Sequence, residues 1–274
     1  MASDDGRWEI RPNGEPVGQN GLRPEGRAET REAGREENRE GTLYGIGVGP
    51  GDPSLITLKA VQLLGQVDHV FTASTSETED SLAGNIAAPH VREGVEVIKL
   101  VFPMTVDGKR LEEAWLKNAK AVVEVLDEGR SAAFLTLGDC LTYSTYAYLL
   151  RYLFDLKPSA KVVSVPGITS YQLAAAKLNR PLVLGRENLT IFGGALDANF
   201  ERLCQASDNL VIMKPYRDMA EVTKKLKDLG LAGKTALCAN LALAGETIID
   251  GLDQPHEEPS GYFSLLLVNK REEG

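Results

Sequence analysis

The chain has 274 residues, 43% of them hydrophobic and 25% charged, with a formal net charge of −9. That acidic balance argues against a nucleic-acid binder, which needs a basic face, and no apolar run approaches the roughly 20 residues of a membrane span. Three scattered cysteines (Cys140, Cys204, Cys238) and three isolated histidines (His69, His90, His256) form neither a disulfide framework nor a zinc-ligand spacing. A cytoplasmic protein without nucleic-acid, membrane or metal partners is therefore expected.

The first 41 residues stand apart. "RAETREAGREENRE" is almost wholly charged and small, with little to bury, and reads as a disordered, solvated tail. Arg27, Arg31, Arg35 and Arg39 recur every fourth residue, so a docking arm for an acidic partner is the other reading. Order is expected from Thr42. "TLYGIGVG" is a short apolar strand, running into a turn with four glycines and two prolines between Gly45 and Pro53. Asp52-Pro53 then supplies a cap and a first helical residue, followed by a stripe of Leu55, Leu58, Val61 and Leu64. "VDHVFTA" and "VEVIKL" are the next strands, and a long amphipathic helix is predicted over residues 111–128. "SAAFLTLGD" is apolar enough to be buried on both faces. The helix "TYSTYAYLLRYL", the strand "KVVSVPG" and the helix "SYQLAAAKL" complete an alternation that predicts a mostly parallel α/β sheet for residues 42–185.

Beyond "NRPLVLG" the texture changes. "NLTIFGG", "NLVIMK", "TALCAN" and "YFSLLLVNK" read as strands around one strong helix, "DMAEVTKKLKDLG". The last strand follows a polar turn, "DQPHEEPSG", so part of the pairing is expected to be antiparallel. The expected architecture is two α/β domains, 42–185 with the mostly parallel sheet and 186–270 with a mixed one.

The glycine-rich turn is not a dinucleotide fingerprint. G-x-G-x-x-G fails in both registers, which end on Pro50 and Asp52, and a carboxylate at the helix start would repel a pyrophosphate. "GKT" at residues 233–235 is no phosphate loop either: Asp228 stands where the upstream glycine belongs, and a strand follows. The turn reads as a ligand's approach to the backbone or as a tight connection with no ligand. Two further loops, "TLGDCLTYST" from Thr136 and "VPGITSY" from Val165, also leave the carboxyl ends of predicted strands, where open α/β sheets bind ligands. Together they offer backbone groups, hydroxyls and one acid. They contain no histidine, no carboxylate pair and no nucleophile beside a base. That chemistry suits an adenosine carrying an amino-acid tail. A sulfonium methyl donor, which needs alignment and a dry site more than proton transfer, fits it.

"GVGPGDPSLITLKA", "GDCLTYST", "VPGITS", "LVIMK", "ALCANL" and "YFSLLLVNK" together resemble the ordered blocks of the tetrapyrrole (corrin/porphyrin) methylases, S-adenosylmethionine-dependent enzymes. The resemblance runs from Gly41 to Lys270. "GTLYGIGVGPGDP", "LTYSTYAYLL", "ITSYQLAAAKLNRPL" and "IMKPYR" narrow it to the members that methylate precorrin-2 or cobalt-precorrin-2 at C-20 in cobalamin biosynthesis. It implies a ligand cleft between the two α/β domains, a homodimer, S-adenosylmethionine as donor and a tetrapyrrole as substrate. Carried over by motif, Pro50 would touch the donor from the first loop, and Leu137, Gly138 and Asp139 would hold its methionine end or ribose. Thr142, Ser144 and Thr145 would continue that wall, Thr169 and Ser170 would come from the third loop, and Met213 and Leu241 would frame the adenine. By themselves Asp139, Ser144 and Thr145 also read as helix-start residues, and Met213 and Leu241 as core. Tyr143 and Tyr146 read as substrate-orienting groups or as packing. Arg180, Arg186, Lys214 and Arg217 are candidates for the substrate's carboxylates. Cys140 replaces the proline expected after Gly138-Asp139, and "IFGGA" lacks an expected proline. A methylase of another ring position or of a protein side chain, and a non-catalytic donor sensor, are the alternatives.

Overall fold

The apolar runs become two five-stranded sheets. In the computed structural model, residues 40–76, 78–105, 107–194, 196–253 and 261–271 are described; the charged tail before Glu40 and the centre of the polar turn at 254–260 lie outside them. The first sheet contains β1 (Thr42–Gly47), β2 (His69–Ser74), β3 (Glu96–Val101), β4 (Ala132–Thr136) and β5 (Lys161–Val165). Its order is β3-β2-β4-β1-β5 and every pair is parallel.

Side chains alternate between two helical layers. Helices α1 (Leu58–Leu64) and α2 (Leu82–Ala87) cover the face presented by Ile46, Val70, Ala133 and Leu135, while α3 (Gly108–Asp127) and α4 (Thr145–Leu156) cover Leu43, Phe71, Ala132 and Phe134. β4 is thus buried on both sides, as its unbroken apolar run predicts. Gly45 faces α4 because Tyr146 fills its place: a β-carbon there would lie 2.0 Å from the ring's Cζ. Tyr146 is wholly buried, stacks on Phe134 at 5.8 Å and shares a 3.2 Å hydrogen bond with Ser164. Of its two readings, packing holds.

Two boundaries differ from expectation. Asp52 caps only a single 3-10 turn, Pro53–Leu55, accepting from Ser54 N at 2.8 Å. Helix α1 begins three residues later under its own cap, Thr57. That shift rotates the buried stripe to Ala60, Leu63 and Leu64 and leaves Leu58 82% exposed. Helix α3 starts at Gly108, not Leu111, because Asp107 accepts from the amides of Lys109 and Arg110.

Helix α5 (Ser170–Leu178) follows β5 but packs on the second sheet, where Ala174 meets Val211, Leu265 and Leu267. That sheet contains β6 (Leu189–Gly193), β7 (Asn209–Met213), β8 (Thr235–Ala239), β9 (Thr247–Asp250) and β10 (Ser264–Asn269), in the order β6-β7-β10-β8-β9. Only β6–β7 is parallel; β10 runs antiparallel to β7 and β8, and β9 to β8. Helices α6 (Phe200–Ala206) and α7 (Met219–Asp228) close its other face over Leu210, Ile212, Leu237 and Leu266.

Candidate active site between the two sheets

β4, β1 and β5 are neighbours, so the three loops of small residues leave adjacent carboxyl ends. They are stitched to one another. Gly49 N donates to Gly138 O at 3.1 Å and Gly138 N returns a bond to Gly49 O at 2.7 Å. Asp139 joins the second loop to the third: its Oδ2 accepts from Gly167 N at 3.1 Å, while Oδ1 accepts from Leu141 N at 2.9 Å and Thr142 Oγ1 at 3.1 Å. The glycines of the first loop serve this stitching. A β-carbon on Gly47 would lie 2.6 Å from Gly138 O, and one on Gly51 would lie 2.8 and 2.9 Å from the carbonyl oxygens of Leu241 and Ala242. The first loop therefore abuts the turn after β8. The close approach expected there is made by the chain's own backbone.

Beneath these loops lies a cavity of about 680 Å³ walled by both sheets, within the range of small-molecule and cofactor sites. All eleven residues expected at the donor site line it. Pro50 enters from the first loop; Leu137, Gly138, Asp139 and Thr142 form the second. Ser144 and Thr145 are the cap and first residue of α4, and Thr169 and Ser170 hold the same places on α5. Met213 ends β7 and Leu241 follows β8.

Several of these side chains already have partners. Ser144 Oγ accepts from Tyr146 N at 3.1 Å. Thr169 Oγ1 accepts from Gln172 N, and Thr169 N donates back to Gln172 Oε1 in a capping box; the Thr169 hydroxyl also donates to that oxygen. What these two positions offer the cavity is a pair of helix N-termini, whose partial positive charge favours a carboxylate. Asp139 has three of its roughly four acceptor positions filled by the chain. It is first a brace for two loops, with one position left for a ligand.

Cys140 fills the place of the expected proline by packing. It is 1% exposed, its Sγ donates to Val165 O at 3.4 Å, and burial pushes the thiol up to about 11. It is no nucleophile at neutral pH. Cys238 lines the cavity, but burial pushes its thiol up to about 12.

Of the four candidate cations, only Lys214 lines the cavity. Arg180 is held by Asp250 in a bidentate pair at 3.0 and 2.9 Å, Arg217 lies over the Tyr216 ring, and Arg186 is exposed elsewhere. Tyr143 does line the cavity, and its hydroxyl donates to Ile191 O at 3.3 Å. The sequence reading missed Ser74 at the end of β2 and Glu79 and Asp80 after it, Phe102 and Met104 after β3, and residues 262–265 entering β10. The carboxyl ends of β2 and β3 carried a usable signal, since the rule applied to three parallel strands holds for all five.

Non-glycine residues in left-handed backbone gather here. Tyr143 (φ 49°), Lys214 (φ 55°), Asn240 (φ 49°) and Ala242 (φ 57°) lie in or beside the lining segments. Each such conformation is unfavourable by about 1–3 kcal/mol and collects at functional sites.

Residues 42–253 match the family model of the tetrapyrrole (corrin/porphyrin) methylases. The chain is 33% identical to the cobalt-precorrin-2 C(20)-methyltransferase of Salmonella typhimurium, over 84% of this chain and 97% of that one. It is 37% identical to a probable cobalt-precorrin-2 C(20)-methyltransferase of Methanocaldococcus jannaschii, over 83% and 96%. Among solved structures, the fold matches uroporphyrin-III C-methyltransferase from Thermus thermophilus with a TM-score of 0.60 at 22% identity, covering 84% of this chain and 94% of that one. With the ordered loops, the two sheets and the family match spanning most of its length, the chain belongs to the tetrapyrrole (corrin/porphyrin) methylases.

Proposed function

We propose that this methyltransferase transfers a methyl group from S-adenosylmethionine to C-20 of precorrin-2 or cobalt-precorrin-2. The carbon loses a proton and S-adenosylhomocysteine is released. The observation that carries the substrate is the 33–37% identity to the two C(20) relatives over nearly their whole length. The cavity's chemistry supports the donor. When bound, S-adenosylmethionine supplies an already activated methyl on a sulfonium, so the protein's contribution is alignment and exclusion of water.

The residues present fit that task. Two helix N-termini, capped by Ser144 and Thr169, suit the donor's carboxylate. Pro50, Leu137, Met213 and Leu241 supply apolar walls for a nucleoside. Asp139 fixes the spacing of the second and third loops. No histidine lines the cavity among the described residues; its titratable side chains include Glu79, Asp80, Asp139, Tyr143 and Lys214. Cys140 does not weaken the case for catalysis, since its packing and its bond to Val165 O hold the turn where proline was expected. No helix among the described residues is long and apolar enough to cross a membrane. A homodimer in the cytoplasm completes the proposal.

The test is turnover. Purified protein is given S-adenosylmethionine and precorrin-2, with and without cobalt, and S-adenosylhomocysteine is quantified alongside the methylated ring position. Methylation at C-20 is expected. Donor binding with no product from either tetrapyrrole would make the protein a sensor, and methylation elsewhere on the ring would make it another member of the family.

A further inference from the structure

Lys214 is the only lysine or arginine lining the cavity among the described residues, and its position is strained. It sits in left-handed backbone (φ 55°, ψ 46°) directly before Pro215, although a following proline favours extended backbone. The surroundings hold it there. Its amide donates to Ser264 O at 2.9 Å, and Gly194 N donates to Met213 O at 2.6 Å. Gly194 leaves room for the turn, since a β-carbon on it would lie 2.5 Å from Pro215 Cα. Gly194, in the stretch where a proline was expected, thus serves the Lys214 turn.

The strained turn sets Lys214 in the cavity's lining. Nζ lies 4.6 Å from the centroid of the Tyr262 ring and donates one long bond, 3.3 Å, to Tyr143 O. No carboxylate among the described residues pairs with it. The same cavity is lined by Met104, Tyr143, Tyr262 and Phe263, which are 59, 50, 38 and 39% exposed. Aromatic rings set edge to face, Tyr262 against Phe263 at 86°, beside one cation that no carboxylate pairs, complement a conjugated ligand with acidic arms. A carboxylate brought to Nζ would form a charge-assisted hydrogen bond, stronger than the long carbonyl contact it supplements.

We propose that Lys214 docks one carboxylate arm of the tetrapyrrole and thereby determines which edge of the macrocycle faces the donor. This rests on the methyltransferase reading above. Lys214 is a specificity-determining residue, and the lysine's compact point charge suits one flexible arm.

The experiment compares wild type, Lys214→Gln and Lys214→Arg. KM and kcat for the tetrapyrrole are measured at saturating donor, and S-adenosylhomocysteine affinity by calorimetry. Lys214→Gln is expected to raise KM roughly tenfold, as for a lost charge-assisted contact, with S-adenosylhomocysteine affinity changed less than about threefold. Lys214→Arg should recover part of the loss. Wild type should prefer the free-acid tetrapyrrole to its methyl ester, and Lys214→Gln should lose that preference. An unchanged KM, a retained preference, or an equal fall in S-adenosylhomocysteine affinity overturns the assignment. Failure of wild type to methylate any tetrapyrrole sinks the parent reading instead. Binding of the acid and ester forms, followed by quenching of protein fluorescence, still decides the role of Lys214 in that case.

Discussion

Asp139 shows how one carboxylate can brace two loops and still line the cavity between the sheets. Its bond to Gly167 N crosses 28 residues of sequence, and its bonds to Leu141 N and Thr142 Oγ1 close its own loop. Replacing it with alanine removes both acceptor oxygens and all three bonds, and frees the third loop from the second. S-adenosylhomocysteine affinity should fall at least tenfold, or ~1.4 kcal/mol, while circular dichroism shows a folded chain. Asp139→Asn, which keeps one acceptor oxygen but loses the bond to Gly167, should fall between. Unchanged affinity in the alanine variant would remove Asp139 from the site. That Asp139 lies at the cavity was legible, because it follows a buried parallel strand. Its bracing role was not, because the partner amide belongs to a loop that only the strand order brings alongside. Gly47 and Gly51 were opaque for the same reason: what they make room for is backbone from Gly138, Leu241 and Ala242.

Among elements, legibility followed the strength of the local pattern. The unbroken apolar run of β4 marked a strand buried on both faces, and the 20-residue α3 supplied several helical periods. The missed elements are short: α2 has 6 residues, α6 has 7 and β9 has 4. Each gains its order from the sheet it lies on, not from local propensity. The Asp52-Pro53 signal was real but marked a single 3-10 turn. The connection from α5 to β6 depends on a different carboxylate. Glu187 accepts from Leu184 N at 2.8 Å, from Asn209 Nδ2 at 2.9 Å, and from Arg271 Nε and Nη2 at 2.8 and 2.7 Å. Arg271 first, and the Leu184 amide next, hold its carboxyl at about 2, below the ordinary 4.5. A depressed carboxylate stabilises the fold fully above its unfolded value and loses that contribution as pH falls through the folded one. The Glu187 contribution should therefore be complete above pH 4.5 and fade toward pH 2. Glu187→Gln should unfold at lower denaturant than wild type at neutral pH, and the gap should narrow through that acid range. A gap independent of pH would mean that the carboxylate's charge contributes nothing.

At the scale of the whole molecule, the cavity is walled by both sheets, and direct contacts already join its sides. Tyr143 on the first side donates to Ile191 O and accepts from Lys214 Nζ. Gly51 abuts the Leu241–Ala242 turn, and α5 carries the chain from β5 onto the second sheet. A ligand touching Pro50, Leu137, Met213 and Leu241 together would add attachments to both sides at once. Unfolding of either sheet would then release it, so its binding free energy should stabilise both. S-adenosylhomocysteine at one hundred times its dissociation constant should add about 2.7 kcal/mol, raising Tm by roughly 5–10 °C for a chain of this size. The transition should stay single in a calorimetric scan. Two separate transitions, with only one moved by the ligand, would show that the ligand engages one sheet alone. The placement of Met213 and Leu241 at the donor would then fail while that of the three loops survived.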